Sequence, residues 1–301
     1  MIPLRIACIG KHGQTAQALS AVAAGYPTIE LHQAGRDTAD LTKPETLEAF
    51  VHQTQAHVVI NAGAYNLVDR AENEKDIAMA VNAVGPHDLA LICKRLGVHF
   101  IHMSTDCVFD GSKTTPYVED DVQMPASAYG ISKSAGEIAV KTMYPEAVTT
   151  RVCWVFSEFA ESFVSKVIGW ARTQSRLRIV SDQVGPPTYA PDIATALLRI
   201  ARLKADGARD LSGYLHLAAP GAMSRAEMAR AILAASKRQG GPFAEIDAVT
   251  TAEFNAPAKR PLNARLSGVK ATERLGLSWT PWEEALDRSV RGVLARKEGT
   301  T

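Results

Sequence analysis

The sequence predicts an α/β protein, built on a doubly wound parallel sheet with a smaller C-terminal α/β domain. Three observations support this fold class. Short apolar segments alternate with helical patterns through the first half of the chain. A glycine-rich turn joins the first predicted strand to the first predicted helix. The chain has 301 residues, 46% of them hydrophobic, which suffices for one large domain or two unequal ones.

The first strand, Leu4 to Ile9, leads into the turn Gly10-Lys11-His12-Gly13-Gln14-Thr15-Ala16. Strand, glycine turn and helix in this order form the phosphate cradle of dinucleotide-binding folds of the Rossmann type, because a helix N-terminus offers unpaired N–H groups. Gly10 permits the tight turn, and Gly13 lets the backbone approach a pyrophosphate. Ala16 stands where a third glycine is common, and the fingerprint tolerates alanine there. The alternative is an ordinary strand-to-helix turn.

The remaining elements of the first half follow from apolar runs and helical periodicity. Further strands are predicted at Thr28 to His32, His57 to Asn61, His99 to Ser104 and Ala147 to Trp154. Helices are predicted at Gln14 to Ala24, Pro44 to Thr54, Ile77 to Leu96 and Ser127 to Met143.

Beyond Trp154 the alternation loosens, which indicates a second unit. Its predicted elements are helices at Phe163 to Thr173, Asp192 to Leu203 and Arg225 to Lys237, a strand at Leu177 to Val180, and a turn at Gly185-Pro186-Pro187. We therefore expect residues 1–155 to form the dinucleotide-binding domain, to which later segments could return. Residues 156–301 are expected to form mainly a substrate-binding domain.

Tyr129 and Lys133 lie four residues apart in a predicted helix, so they share one face. A cation beside the phenolate would lower the Tyr129 pKa from its usual value of about 10, which would suit proton transfer near neutral pH. The same spacing also arises by chance on amphipathic surface helices. The phosphate cradle earlier in the chain favours a functional role for this pair over a chance occurrence.

Polar and small residues follow three of the predicted strands, at the edge where open α/β sheets bind ligands. They are Asn61-Ala62-Gly63-Ala64-Tyr65, Ser104-Thr105-Asp106 and Arg151-Val152-Cys153-Trp154. The first group offers free backbone to a cofactor ribose or nicotinamide, and the second offers two hydroxyls and a carboxylate. The alternatives are a plain strand exit for the first group and a helix cap or turn for the second.

Composition argues against several other classes of protein. The net charge of +1, without a basic block, argues against a nucleic-acid partner. No apolar run is long enough to cross a bilayer and no signal cleavage site is evident, so we expect a cytoplasmic protein without a membrane partner. The four cysteines form no Cys-x-x-Cys pair, and reduced thiols are expected. Cys107, near the candidate site, is interpreted as a packing residue because no basic partner is evident.

Taken together, these residues resemble the extended short-chain dehydrogenase/reductase family, and within it the dTDP-4-dehydrorhamnose reductases. The resemblance runs nearly end to end. It departs from the family pattern at Ala16, at Asn66 where threonine is usual, at Cys107 where tyrosine is usual, and at Cys153 where serine or threonine is usual. The matching stretches are Gly10-Lys11-x-Gly13-Gln14, Asn61-Ala-x-Ala-Tyr65-x-x-Val68-Asp69-x-Ala71-Glu72, Ser104-Thr105-Asp106-x-Val108-Phe109-Asp110-Gly111, Tyr129-Gly-x-x-Lys133-x-x-Gly136-Glu137, Trp154-Val155, Asp182-Gln183-x-Gly185-x-Pro187-Thr188 and Arg260-Pro261-x-Asn263-x-Arg265-Leu266.

The resemblance implies an NAD(P)H-dependent oxidoreductase that reduces the C4 ketone of a nucleotide-linked deoxysugar, dTDP-4-dehydro-L-rhamnose, to dTDP-L-rhamnose. It implies that Tyr129 protonates the developing alkoxide, that Lys133 holds the nicotinamide ribose and tunes Tyr129, and that Thr105 hydrogen-bonds the keto oxygen. Thr105 and Asp106 would contact the sugar nucleotide, and Trp154 would shape its pocket. The alternative for Trp154 is a core residue at a strand end.

The expected cofactor site combines the cradle with residues that the resemblance adds, among which Asp40 and Leu41 match positions bordering the adenine. Its members are Gly10, Lys11, His12, Gly13, Gln14, Thr15, Arg36, Asp40, Leu41, Ala62, Gly63, Ala64, Tyr65, Tyr129 and Lys133. The expected substrate site comprises Thr105, Asp106, Trp154, Gln183 and Arg260. No metal ligands are assigned.

Two C-terminal segments, 182–188 and 259–261, are expected to meet over the sugar nucleotide. Arg260 is the best cationic candidate for the diphosphate, because guanidinium binds phosphate bidentately. The alternative is an exposed loop arginine. A nucleotide sugar is therefore the expected partner, and a homodimer is compatible with the sequence.

The end of the second strand predicts the cofactor choice. NAD-binding sites normally present an acidic residue there, whereas this chain has His32 or Gln33 at that place and Arg36 just beyond. A guanidinium suits the 2′-phosphate of NADPH, although Asp37 and Asp40 are near in sequence. We expect NADPH to be preferred, with some activity on NADH. The alternative is that Arg36 is a solvated loop residue.

Two other functions remain open on the same scaffold. An epimerase or 4,6-dehydratase would regenerate its cofactor in each turnover, but dehydratases of this group resemble Thr-Asp-Glu where this chain has Thr105-Asp106-Cys107. A non-catalytic protein, similar to the regulatory subunit of methionine adenosyltransferase, is the second alternative. Retention of Thr105, Tyr129 and Lys133 argues against this second alternative.

Overall fold

The structure is a computed structural model, and it describes residues 3–208 and 210–298. Strands and helices alternate through its N-terminal half, as expected. The strands are β1 (Leu4–Ile9), β2 (Ile29–Ala34), β3 (Val58–Asn61), β4 (His99–Thr105), β5 (Val148–Val152), β6 (Val155–Phe156), β7 (Arg176–Val180), β8 (Val184–Gly185), β9 (Thr188–Tyr189), β10 (Gly213–Leu217), β11 (Met223–Ser224) and β12 (Glu245–Val249).

The helices cover the sheet and build the C-terminal part of the chain. They are α1 (Gln14–Ala23), α2 (Pro44–Thr54), α3 (Val68–Ala71), α4 (Lys75–Met79), α5 (Gly85–Leu96), α6 (Ala128–Met143), α7 (Phe163–Ala171), α8 (Ala190–Ala205), α9 (Arg225–Arg238), α10 (Thr251–Phe254), α11 (Val269–Leu275) and α12 (Trp282–Glu298). A π-helical turn, Ala80–Val84, joins α4 to α5, and a 3₁₀ turn, Asp106–Val108, follows β4. Over 3–208 and 210–298, no helix combines the length and apolar character that a bilayer crossing requires.

Six strands form a parallel sheet in the order β10-β5-β4-β3-β1-β2. This confirms the predicted doubly wound α/β class. The chain passes from β1 to β2 on one side and then returns to place β3 on the other side of β1. The strand order therefore reverses between β1 and β3, which is the position where such sheets bind ligands.

The inner strands β1 and β3 are buried on both faces, which explains why they are almost entirely apolar. Successive residues of a strand point to opposite faces. Ile6 and Cys8 of β1 accordingly pack in a cluster with residues of α1 and α8. Their neighbours Ala7 and Ile9 pack in a second cluster with residues of α2 and α5. The helices therefore cover both faces and leave the strand ends to form the site.

The ends of the predicted elements in the N-terminal half fall within two residues of the observed ends. One of these predictions is wrong in its geometry, because the helix predicted over Ile77 to Leu96 contains the π-helical turn. The sequence analysis also missed β10, which lies beyond residue 155 and pairs with β5 in the central sheet. The boundary between the two proposed domains stays a prediction.

The C-terminal part has its own apolar cluster, formed mainly by α7, α9 and α12 with the parallel pair β7 and β12. Two short strand pairs, β6 with β9 and β8 with β11, are separate from the central sheet. They set the positions of Trp154 and Arg225, which stand directly before β6 and directly after β11.

Candidate active site

The glycine turn after β1 has the conformation expected of a phosphate cradle. Gly10 has a φ of +110°, and a Cβ there would lie 2.6 Å from the backbone nitrogen of Gly63. Only glycine therefore fits between β1 and the loop that follows β3. Gly13 is the N-cap of α1 and supplies no side-chain cap, so the first amides of the helix are available to an anionic ligand.

The side chains of the cradle differ in their contacts, because some are exposed and one forms hydrogen bonds to a distant segment. Lys11 and His12 are exposed at its rim. The Gln14 side chain instead bridges to β6, since its Nε2 donates to the Val155 carbonyl at 3.3 Å and its Oε1 accepts from Ser157 Oγ at 3.1 Å. Gln14 can therefore serve a cofactor through its backbone, while its amide fixes α1 to the C-terminal part.

At the end of β2, the side chains of Gln33 and Arg36 have different surroundings. The Gln33 amide donates to the Ala16 carbonyl at 2.6 Å and is thus turned toward α1. The side chain of Arg36 is 82% exposed, and its Nε lies 3.2 Å from Asp40 Oδ2. Burial opposes ionisation of Asp40, but hydrogen bonds from Thr42 and Arg36 outweigh it and lower the pKa. Among the residues that the structure describes, Asp40 is the one acidic partner of Arg36, and it contacts only the Nε atom of the guanidinium.

Helix α6 brings Tyr129 and Lys133 to the carboxyl end of the sheet. Ser127 caps the helix by accepting from the Gly130 N–H at 3.1 Å. Tyr129 packs against Tyr65 and Cys107, which places its ring beside the loops after β3 and β4. Lys133 is 2% exposed, and its Nζ donates to the Met103 carbonyl at 2.7 Å. Both side chains of the predicted pair thus lie where the sheet binds ligands.

The predicted lowering of the Tyr129 pKa is wrong for this arrangement. Burial raises the pKa of the phenol, the acidic groups of Cys107 and Asp106 raise it further, and the Thr105 hydroxyl opposes the rise. Burial lowers the pKa of Lys133 to about 8, and the Glu137 carboxylate partly offsets this by raising the pKa. Tyr129 is therefore a protonated phenol at neutral pH, which is the state that a proton donor requires.

The turn after β4 places Thr105 and Asp106 beside Tyr129. Thr105 Oγ1 donates to Asp106 Oδ1 at 3.0 Å and accepts from the Cys107 N–H at 3.2 Å. Burial raises the pKa of Asp106 to about 6, while Thr105 and the charge of Arg225 oppose the rise. The hydroxyl of Thr105, a predicted catalytic residue, caps the 3₁₀ turn. The alternative prediction of a helix cap therefore also describes this residue.

Trp154 lies at the junction between the sheet and the C-terminal part. Its backbone has a positive φ of 44°, which is rare for a bulky residue. Gly185 contacts its indole so closely that a Cβ there would be 2.7 Å from Cε2. The guanidinium of Arg225 lies over the same ring, 3.6 Å from its centroid. Trp154 is thus held rigidly, half-buried and beside a cation.

Gln183 and Arg260, two residues of the expected substrate site, both contact other parts of the chain. The Gln183 side chain is buried and donates to Thr251 Oγ1 at 3.1 Å. Arg260 forms a bidentate pair with Asp69, with Nη1 to Oδ1 at 3.0 Å and Nη2 to Oδ2 at 2.7 Å. Arg260 therefore connects the C-terminal segment to α3, and a contact with a diphosphate would have to use its remaining donors.

Known proteins share this sequence and geometry. The family described as RmlD substrate binding domain matches residues 4–294. A dTDP-4-dehydrorhamnose reductase of Sinorhizobium fredii is 38% identical over 292 residues, covering 97% of this chain and 98% of that protein. The chain belongs to the dTDP-4-dehydrorhamnose reductase family. A second family member, from Burkholderia thailandensis, is 39% identical over 269 residues, or 87% of this chain and 90% of that protein.

A solved structure supports the same assignment at the level of the backbone. The dTDP-4-dehydrorhamnose reductase of Bacillus anthracis, crystallised in complex with NADP, superposes with a TM-score of 0.86 at 27% identity. The match covers 95% of this chain and 98% of that one. The central sheet and the C-terminal part thus have the arrangement of this family.

Asn82, on the π-helical turn, is a residue that the sequence analysis missed. It is buried, and its side chain holds the Tyr65 backbone by accepting from the N–H at 2.8 Å and donating to the carbonyl at 2.9 Å. It also donates to Ser132 Oγ at 3.0 Å, and Ser132 Oγ donates to the Tyr129 carbonyl at 2.8 Å. Asn82 therefore fixes the loop after β3 relative to the helix that carries Tyr129 and Lys133. A polar residue inside an apolar helical pattern was the available signal.

A buried ion pair lies one turn beyond Lys133 and was also missed. Arg151 Nη2 is 2.7 Å from Glu137 Oε2, and both side chains are almost completely buried. Arg151 also donates to the Glu119 carbonyl at 3.1 Å. The pair connects α6 to β5 beneath the site, and its Glu137 carboxylate favours the charged form of Lys133.

The two family departures that involve cysteine lie inside the site. Burial raises the pKa of both Cys107 and Cys153, and Asp106 raises both values further. Cys153 donates its S–H to the Ala264 carbonyl at 3.0 Å. Protonated, buried thiols support the interpretation that these residues pack against the pocket and do not act as nucleophiles. Within 3–208 and 210–298, no cluster of His, Cys, Asp or Glu side chains is arranged to hold a metal ion.

Proposed function

We propose that this chain catalyses the NADPH-dependent reduction of the C4 ketone of dTDP-4-dehydro-L-rhamnose to give dTDP-L-rhamnose. The observation that carries the proposal is that Tyr129 interacts with Thr105 at the end of β4, one helical turn from Lys133, whose Nζ binds the Met103 carbonyl of the same strand. The names of the family relatives support the choice of substrate. Cytoplasmic location and a homodimer stay predictions.

The cradle fits a dinucleotide, because the space above Gly10 would be closed by any Cβ and the first turn of α1 has no side-chain cap. Backbone groups from Gly10 to Thr15 would hold the pyrophosphate. Ala62 to Tyr65, Tyr129 and Lys133 would line the nicotinamide side, and Asp40 and Leu41 would border the adenine. When bound, NADPH supplies the hydride that reduces the ketone.

The chain's own residues provide binding, orientation and a proton. Tyr129 donates its phenolic proton to the oxygen that becomes the alcohol, since burial keeps that proton in place at neutral pH. The Thr105 hydroxyl, which donates to Asp106 Oδ1 in the structure, would exchange that hydrogen bond for one to the keto oxygen and increase the polarisation of the carbonyl. The Lys133 ammonium would donate to the ribose hydroxyls and stabilise the negative charge that develops on Tyr129. Asp106 and Trp154 would shape the sugar pocket.

The proposal is tested by following NADPH oxidation with dTDP-4-dehydro-L-rhamnose and identifying the product by mass spectrometry and NMR. We expect one equivalent of dTDP-L-rhamnose for each NADPH consumed. A dehydratase or epimerase would convert its sugar nucleotide without net cofactor consumption. Binding of NADPH without turnover of any keto sugar would favour the regulatory-protein alternative.

Arg36 provides a prediction about cofactor choice. Its guanidinium is exposed at the rim of the cradle and has free terminal nitrogens, so it can bind a 2′-phosphate. We expect the unmodified enzyme to prefer NADPH, and Arg36→Ala to reduce the ratio of kcat/KM for NADPH over NADH by about tenfold. Arg95→Ala, which removes another exposed arginine with an acidic partner, is the matched control. Equal efficiency with both cofactors before mutation would disprove this prediction.

Arg260 is proposed to bind the diphosphate of the nucleotide sugar through the donors that Asp69 leaves free. Arg260→Ala should raise KM for the sugar nucleotide by about tenfold and lower kcat less. Asp69→Asn is the informative companion variant, because it weakens the ion pair and keeps the arginine. Unchanged KM in Arg260→Ala would remove this residue from the site. An equal rise of KM in both variants would show that Arg260 only holds the C-terminal segment against α3.

A further inference from the structure

Arg225 is a cation that the sequence analysis did not assign to any site. It is the first residue of α9, directly after the N-cap Ser224. Ser224 and Glu227 form a capping box, and the Arg225 N–H donates to the Gln183 carbonyl at 3.2 Å. The start of α9 is therefore fixed by its own cap and by the segment that includes β8. The position of the arginine follows from these backbone contacts.

The side chain of Arg225 lies against two aromatic rings. Its guanidinium carbon is 3.6 Å from the centroid of Trp154 and 5.0 Å from that of Phe163. A guanidinium this close presents its flat face to the indole, so its N–H donors are directed around the edge of the ring. Trp154 is itself held by its contact with Gly185, which fixes the indole ring against which the guanidinium lies.

No carboxylate forms a hydrogen bond or an ion pair with the Arg225 guanidinium within the part of the chain that the structure describes. Its interactions there are the two ring contacts and the backbone hydrogen bond, with neither a carboxylate nor a carbonyl bound to the guanidinium. The other cations near the site differ, since Arg260 is paired with Asp69, and Lys133 donates to a carbonyl. Burial lowers the pKa of Arg225 to about 10, which leaves it charged at neutral pH.

Arg225 also lies within electrostatic range of the predicted sugar pocket. The carboxylate of Asp106 favours its charged form, and the nearby charge of Arg260 opposes it. Asp106 adjoins Thr105, so the arginine lies within electrostatic range of a residue next to the proposed reacting groups. A half-buried cation without an anionic partner is unfavourable in a folded protein, and a bound anion would compensate for it.

We propose that Arg225, oriented by Trp154, binds the diphosphate group of the nucleotide sugar. This inference depends on the proposed function for the identity of the base and the sugar, but the chemistry is that of any nucleoside diphosphate. The planar fork can donate two parallel hydrogen bonds to phosphate oxygens. Arg225 then provides the unpaired positive charge, and Arg260 contributes only the donors that Asp69 leaves free.

The proposal is tested by calorimetric binding of dTDP, UDP, ADP and thymidine to the full chain saturated with NADPH. Arg225→Leu should weaken binding of the preferred nucleoside diphosphate by about 10- to 100-fold and leave the weak binding of thymidine unchanged. Arg225→Lys, which keeps the charge but lacks the planar guanidinium, should weaken binding to an intermediate extent. Arg230→Leu, on an exposed position of the same helix, is the matched control. Thermal unfolding of each variant reports its stability separately.

Each result bears on one of the two proposals. If Arg225→Leu and Arg225→Lys both bind dTDP as tightly as the unmodified protein, the assignment of Arg225 is overturned and the proposed reductase function is unaffected. If the preferred ligand is UDP or ADP and its affinity falls in Arg225→Leu, the assignment of Arg225 is supported and the thymidine nucleotide specificity is refuted. Equal loss of affinity for thymidine and dTDP would show that Arg225 acts through pocket structure, which also overturns the proposal.

Discussion

Replacing Tyr129 by phenylalanine is expected to reduce turnover by about 10²- to 10⁴-fold, the range attributed to a general acid, while NADPH affinity stays nearly unchanged. The ring of Tyr129 packs among Tyr65, Cys107 and small residues of α3 and α4, and phenylalanine preserves those contacts. Only the proton donor is lost. The measurement is steady-state NADPH oxidation with the keto sugar, together with a fluorescence titration of NADPH binding.

Ser132→Ala is the informative control for this variant. Ser132 Oγ lies between Asn82 and the Tyr129 carbonyl, so its removal perturbs the position of α6 without removing the phenol. We expect a much smaller loss of turnover from Ser132→Ala than from Tyr129→Phe. If Tyr129→Phe retained the activity of the unmodified enzyme, another group would have to be the general acid.

The sequence was sufficient to predict the parts of the fold that depend on local patterns. Apolar segments identified the five strands of the N-terminal half, most clearly β1 and β3, which are buried on both faces. Gly10 identified the turn at the point where the strand order reverses. It was not sufficient to predict β10, whose apolar residues are interrupted by Tyr214 and His216. The His216 side chain is buried near Arg151, a contact between residues far apart in the chain.

The electrostatic part of the site depends on burial, which local sequence does not give. The spacing of Tyr129 and Lys133 predicted their common location, but not that burial raises the pKa of one and lowers that of the other. The ion pair of Arg260 could not be predicted from local sequence either, because its partner Asp69 is 191 residues away in the chain. Arg225 looked like an ordinary residue at the start of a helix until the fold placed it over Trp154.

Replacing Lys133 by methionine is expected to impair both steps that depend on its charge, namely cofactor binding and turnover. Methionine has a similar length and fits the buried space, so the change removes mainly the ammonium and its hydrogen bond to the Met103 carbonyl. We expect weaker NADPH binding and a loss of turnover of about 10²- to 10³-fold, comparable to removing one electrostatic donor. Retention of both properties would exclude Lys133 from the catalytic pair.

The pH dependence separates a loss of charge from a loss of packing. Burial disfavours the ammonium, so Lys133 loses its proton near pH 8, well below the value of an exposed lysine. If the charge is required, kcat/KM of the unmodified enzyme should fall as pH rises through about 8. Tyr129 cannot cause this fall, because its own pKa is raised. The alkaline fall should be absent from the residual activity of Lys133→Met and should move to higher pH in Lys133→Arg, since guanidinium keeps its proton. Persistence of the same fall in Lys133→Met would assign it to a different group.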